Sequence, residues 1–414
     1  MDIRTCPALD PTGRDLHGEA ARLRAEGPAV EVELPGGVQA WSVTRYEVIK
    51  HMLTGRLLSK DPRRHWPAWI NGEIPPDWPM IVWVGLESMF TAHGADHVRL
   101  RKLVTKEFTR SRVEDIRPGI ERITADLLDA MVALGAGERG TPGGPVDLRR
   151  TFADPLPTRV ICDLFGVPED ARHEMHRALG TALATAATPQ QAARNAADLH
   201  AVITALVSVK REHPGGDLTS ALIAARDDGD GSRLTEAELV STLIVLIGGG
   251  SETAVNLITN ATAALLTHPE QLALVLEGYF SWNDVIEETL RAEPPIVHQP
   301  LYFATADIEL SGVKIRRGDA VLVGFGAAGR DPAVHGVHAD RFDITRPDKN
   351  HLAFGHGMHF CIGAHLARLE AGIALPALFG RFPDMTLAMP PEGIQQQESF
   401  IANGHSSLPV LLKR

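Results

Sequence analysis

Apolar residues recur three and four positions apart in five stretches: 97–108 (HVRLRKLVTKEF), 119–135, 198–213, 235–247 and 365–375. That period gathers them on one face of a helix, so each stretch is expected to be helical. Two-residue alternation is rarer. AVEVELP and VQAWSVT (29–44) flank PGG and are expected to form a hairpin. DIELSGVKIRRGDAVLVGF (307–325) reads as two strands around a turn, and the C-terminal LPVLLK as a last strand. Helix therefore dominates, with small sheets near the start and in the last third. No internal repeat is visible. GERGTPGGP (137–145) reads as a loop with helical pattern on both sides, so residues 1–414 are expected to form a single domain.

Composition narrows the class. Hydrophobic content of 44% and charged content of 22% describe a folded chain. A net charge of −11 argues against a nucleic-acid binder. Three cysteines cannot frame a chain of 414 residues with disulfides, which points to a reducing, cytoplasmic setting. The N-terminus lacks a basic start followed by an apolar run, and the longest apolar runs, such as LIVLI (243–247), are too short for a bilayer.

Four constellations carry chemistry. LIGGGSETA (246–254) puts three glycines inside a helical pattern, each about 1 kcal/mol worse there than alanine. Either the helix ends at Gly248 and restarts with Ser251 as N-cap, or one long helix opens locally around a small ligand. Glu252 and Thr253 follow, an acid beside an alcohol suited to passing protons into a buried site. In EETLRAEPP (287–295), Glu288 and Arg291 share a helix face. The spacing alone fits an ordinary exposed ion pair; alternatively, a buried Glu288 would accept from both Arg291 and the distant Arg341. In HGADHVRLRKLVTKEF (93–108), His97 and Arg101 share one face, and Arg99, Lys102, Lys106 and Arg110 form a basic stripe; this is either a solvated helix with scattered charge, or His97 and Arg101 turn inward to an anion while the stripe faces an acidic partner. The fourth, FGHGMHFCIG (354–363), has three readings. His356, His359 and Cys361 could chelate zinc, although a structural zinc site takes four ligands. Cys361 could be an inert buried thiol. It could also be a thiolate ligand, with Gly355, Gly357 and Gly363 wrapping the backbone around sulfur and a helix from Ala364 favouring its charge.

Taken in chain order, HVRLR, GGGSET, ETLR, DRF and FGHGMHFCIG resemble the cytochrome P450 family of heme-thiolate monooxygenases. The resemblance covers nearly the whole chain and looks closest to soluble actinobacterial members. It implies a mainly α fold with small β-sheets, prism-like, with heme b (iron protoporphyrin IX) between the long central helix and the helix after the cysteine loop. It implies Cys361 as the axial thiolate on iron, with Phe354 packed near the sulfur. His97, Arg101 and His359 would hold the heme propionates, and Glu288, Arg291 and Arg341 would brace the proximal side. Thr253 and Glu252 would serve oxygen binding and proton delivery. The thiolate would help cleave the O–O bond, and an alcohol backed by an acid would admit protons while excluding water.

Three positions depart from the family pattern. Tyr302 stands where an arginine is usual as a propionate partner; a phenol donates a hydrogen bond but brings no charge. Gly249 replaces an alanine in the oxygen groove, and Pro376 is expected to kink or end the helix after Cys361. Trp66, Trp69, Trp78 and Trp83 fall in a proline-interrupted cover segment, either packing it or lining a pocket. Val245, Gly249, Val297, His298 and Phe400 are further pocket candidates. No G-x-G-x-x-G follows a strand, so no reductase is fused. Electrons are expected from a separate ferredoxin and ferredoxin reductase, drawing on NAD(P)H and docking on the basic stripe of a monomer. The expected reaction is O2-dependent hydroxylation or related oxidation of an apolar small molecule, in secondary metabolism or xenobiotic or steroid oxidation. A peroxide-driven or non-oxygen-inserting reaction on the same heme is one rival, and a heme or metal sensor another.

Overall fold

The computed structural model describes residues 6–135, 144–180, 185, 188–225 and 231–412. The loop expected at 137–145 lies mostly outside them. All five helical stretches are helices, longer than the pattern alone suggests: Gly94–Glu107, Arg117–Gly135, Pro189–Glu212, Glu236–Thr267 and Ala364–Arg381. The longest is the axis of the molecule. Thr235 caps it, accepting from the Glu238 amide while the Glu238 carboxylate accepts from the Thr235 amide. It runs 32 residues and is apolar enough to cross a membrane, but most of its apolar window is buried in the core.

The glycines do not break this helix. Ser251 is no N-cap; its hydroxyl donates back to the Ile247 carbonyl at 3.3 Å. The helix that begins at Ala364 also runs through Pro376 to Arg381, so it does not end early. A mid-helix proline costs about 3 kcal/mol. Burial of Ala374, Leu375, Leu378 and Phe379 around it offsets that cost.

The hairpin forms as expected, with Val30–Leu34 paired to Val38–Val43 through a turn in which Gly36 and Gly37 both take positive φ. It belongs to a five-stranded sheet in the order Val30–Leu34, Val38–Val43, Ala320–Gly324, His298–Ala304, Leu58–Ser59. The 307–325 stretch holds three strands rather than two. Ile308–Leu310 and Val313–Ile315 form their own hairpin, whose turn spends Ser311 and Gly312 at positive φ, and Ala320–Gly324 leaves it for the large sheet. Pro409–Leu411 is the expected last strand, central in a three-stranded sheet. One irregularity positions the site. The strand His298–Ala304 slips register between Gln299 and Tyr302, a bulge that contains Pro300. Proline lacks a ladder donor, and bulges re-aim side chains beside active sites.

Candidate active site

A largely apolar cavity lies between the central helix and the cysteine loop. The glycines make its roof. Gly249 faces it with no atom within 4 Å of where a Cβ would sit, whereas a Cβ on Gly250 would come 2.6 Å from Ile161 Cδ1. One glycine therefore opens space and the next lets two helices close. Val245 and Thr253 line the same face of the helix.

Cys361 opens onto the cavity from the opposite side. Gly355 and Gly357 take φ of 73° and 71°, and a Cβ on Gly357 would clash with the Leu53 carbonyl at 2.3 Å. The Cys361 amide donates to the Phe354 carbonyl at 2.8 Å, closing the loop. Cys361 is exposed toward this recess and otherwise surrounded by protein atoms that desolvate the sulfur. Burial therefore raises its thiol pKa, while the Gly363 amide, the Arg101 charge and the Ala364 amide pull it down. An Arg368 guanidinium, paired with Glu287, lies 4.6 Å over the Phe354 ring. Among the described residues no group of three His, Cys, Asp or Glu is arranged to hold a metal ion, and His356 does not line the cavity. The three-ligand chelate reading of this loop therefore fails.

One end of the cavity is rich in nitrogen. His359 lines it and is half-buried; His97, 3% exposed, does not line it but packs behind His359 with the rings 4.4 Å apart, and each has a buried Nε2 with no partner. Burial, then Arg101 and His93, lowers His97 to about 4, and burial, then Lys60, holds His359 well below its ordinary value. Arg101 lines the cavity and donates to the Phe360 carbonyl at 2.7 Å. Tyr302 is buried with its ring 6.3 Å from His359. Two orphaned imidazole nitrogens, a guanidinium and, beyond them, a thiol fit a flat iron porphyrin carrying two carboxylates.

Glu252 and Thr253 part company. Consecutive helical residues point about 100° apart, and only Thr253 lines the cavity, its hydroxyl donating to the Gly249 carbonyl at 2.7 Å. Glu252 is 7% exposed and turns away to accept from Arg149 at 2.7 Å and from Gln397. Arg149 also reaches Asn256 at 3.0 Å. The acid is therefore held in a polar cluster behind the alcohol.

The Glu288–Arg291 pair is fully buried and bidentate, at 2.8 and 2.6 Å. Arg291 spends its remaining donors on the carbonyls of Gly329, Ala339 and Arg341 at 2.6–2.7 Å. The expected third partner is corrected here. The Arg341 side chain is exposed and contributes only its carbonyl, while Arg346 approaches Glu288 at 3.8 Å. The DRF turn orients its backbone, not its guanidinium, toward the pair.

Other expectations need correction too. Trp66, Trp69 and Trp78 pack together, Trp66 also stacking on Phe303 at 5.0 Å, and only Trp83 lines the cavity. Val297, His298 and Phe400 do not line it; His298 is bonded to the Phe400 carbonyl at 2.6 Å, and Ile296, Gln299 and Ile401 face the cavity instead. Arg99 is paired with Glu238 and leaves the basic stripe to Lys102, Lys106 and Arg110, which are exposed. Sequence reasoning missed Lys60, Arg149 and Glu370 altogether. Glu370 lines the cavity with both carboxylate oxygens unpartnered, and burial pushes it up to about 8, which favours its neutral form.

A mainly helical fold that encloses an apolar recess with one thiol on its floor and a cationic end defines a protein built to hold a planar, acidic cofactor. The comparisons say which. The Cytochrome P450 family model matches residues 282–401. The chain is 50% identical over 409 residues to 2-hydroxy-5-methyl-1-naphthoate 7-hydroxylase of Streptomyces carzinostaticus, covering 99% of this chain and 98% of that protein. It is 41% identical to 6-deoxyerythronolide B hydroxylase of Saccharopolyspora erythraea, with 96% of each covered. The solved structure of CYP154A1 from Streptomyces coelicolor A3(2) superposes with a TM-score of 0.91 at 47% identity, covering 99% of this chain and 100% of that one. The chain belongs to the cytochrome P450 family. It is an oxidoreductase, a monooxygenase whose cofactor is a heme iron and whose substrate is a small molecule.

Proposed function

We propose that residues 1–414 form one catalytic domain, in which Cys361 would supply the thiolate ligand to heme b. One observation carries this reading: a thiol receiving the Gly363 and Ala364 amides faces a cavity lined by the partnerless imidazole of His359, with the partnerless imidazole of His97 packed against it. The bound heme supplies O2 activation. His97, Arg101 and His359 hold its carboxylates, Tyr302 donates a neutral hydrogen bond beside them, and Phe354 shields the sulfur. Gly249 keeps the roof clear, Thr253 presents its hydroxyl there, and Glu252 feeds it protons after leaving Arg149.

The substrate we infer is an apolar, polyketide-like aromatic molecule of secondary metabolism, and the reaction its hydroxylation. The apolar lining supports this, as does similarity to a hydroxylase that acts on a naphthoate. Incubating the enzyme with naphthoic acids, a surrogate redox chain and 18O2 tests it. The expected product carries one heavy oxygen atom. Product without the label, or no turnover across aromatic acids that displace the iron's water ligand, contradicts it.

The protein works in this reading as a cytoplasmic monomer reduced by a ferredoxin, itself reduced by NAD(P)H through a ferredoxin reductase. Lys102, Lys106 and Arg110 are exposed, and so are Met358 and Phe360 of the cysteine loop. Replacing the three cations by glutamate is expected to slow reduction by roughly tenfold or more at low salt and to leave substrate binding intact. Stopped-flow reduction across a salt series checks it. Equal rates for variant and wild type at every salt concentration contradict this docking surface.

A further inference from the structure

Lys60 is the one cation at the cavity that the reading above leaves without a task. It follows the short strand Leu58–Ser59, is 2% exposed and lines the cavity. Lysines are almost never this buried unless paired. Here the ammonium donates to a single neutral acceptor, the Pro300 carbonyl at 3.0 Å, and lies over the rings of Phe90 and Tyr302 at 4.1 and 4.5 Å. Among the described residues no carboxylate pairs with it. Burial alone lowers its pKa to about 7. A desolvated ammonium with two donors still to spend is costly unless an anion arrives.

The sheet explains how it comes to stand there. Leu58 pairs with Ala304 and Ser59 with Phe303, so the next residue, Lys60, lies across from Tyr302. The bulge at Gln299–Tyr302 frees the Pro300 carbonyl that holds its Nζ. Tyr302 in turn meets His359, and His359 meets His97. The positive charge missing at Tyr302 is thus present one strand over, at the same end of the cavity.

We propose that Lys60 binds a heme carboxylate, replacing across the sheet the arginine that Tyr302 displaces. This rests on heme occupying the cavity with Cys361 at its iron. The same ammonium chemistry would suit a substrate carboxylate, and the test separates the two sources.

Ferric holoenzyme of wild type, Lys60→Met and Lys60→Arg is mixed with excess apomyoglobin, and the rate of heme transfer is followed optically. Lys60→Met is expected to lose heme on the order of tenfold or more faster, the scale of a charge-assisted hydrogen bond. Lys60→Arg should stay near wild type. Reconstitution with the dimethyl ester of heme should erase the difference between wild type and Lys60→Met, because the carboxylates are gone. Equal retention of ordinary heme overturns the proposal, and weaker binding of 1-naphthoate with unchanged heme retention reassigns Lys60 to the substrate and overturns it too. A difference that persists with the ester marks a structural role and also overturns it. A wild-type chain that takes up no heme overturns the underlying reading as well, so the two failures are distinguishable.

Discussion

Arg291→Ala protein is expected to lose about 3–5 kcal/mol of stability and to yield little heme-loaded enzyme. The reason is the number of buried groups that one side chain satisfies. Its removal leaves the Glu288 carboxylate, at 0% exposure, with only the Asp343 amide and Arg346 at 3.8 Å, and leaves the Gly329, Ala339 and Arg341 carbonyls without their donor. Folded domains hold about 5–15 kcal/mol in all, so this loss decides whether the chain folds at growth temperature. The pair is a device for holding loops, and its own charges contribute little net stability against an apolar replacement. Glu288→Leu/Arg291→Met should therefore melt higher than Arg291→Ala, because it buries no lone charge. Thermal melts of the three proteins check this. Arg291→Ala melting within about 1 kcal/mol of wild type contradicts the network's role.

Thr253→Val is expected to keep consuming NAD(P)H while product formation falls by on the order of a hundredfold, the scale of a lost proton donor. Valine matches threonine in shape, so the roof beside Gly249 stays filled and only the hydroxyl is removed. Glu252→Gln should act on the same step while leaving Thr253 and the cavity wall in place, since Glu252 does not line it. Glu252 is tethered by Arg149 and Gln397, so proton delivery by it would require that tether to open. Arg149→Met, which removes the tether, should then change the rate differently from Glu252→Gln. Product formed per NAD(P)H consumed is the readout. Unchanged coupling in both Thr253→Val and Glu252→Gln contradicts their assignment to proton delivery.

Period and motif carried most of the fold into view, because each helix has one apolar face and the cysteine loop needs its glycines. What stayed hidden depends on register. Val297, His298 and Phe400 are expected at the cavity, but their chain neighbours Ile296, Gln299 and Ile401 face it instead. A slip of one residue sends a side chain to the other face of a sheet. Lys60 is invisible for the same reason: nothing in LLSKDPRRH says that it stands across from Tyr302. Arg346 rather than Arg341 nears Glu288 because a turn decides which side chain points inward. Adjacent Glu252 and Thr253 read as one functional pair, yet helical geometry alone directs them to different surroundings.

The sulfur of Cys361 offers the most direct test. Purified wild-type protein, reduced and exposed to carbon monoxide, should show the red-shifted Soret band of thiolate-ligated heme, and Cys361→Ser protein should lack it. Wild type carrying iron without that band, or Cys361→Ser protein that retains it, contradicts the assignment of Cys361 as the heme ligand.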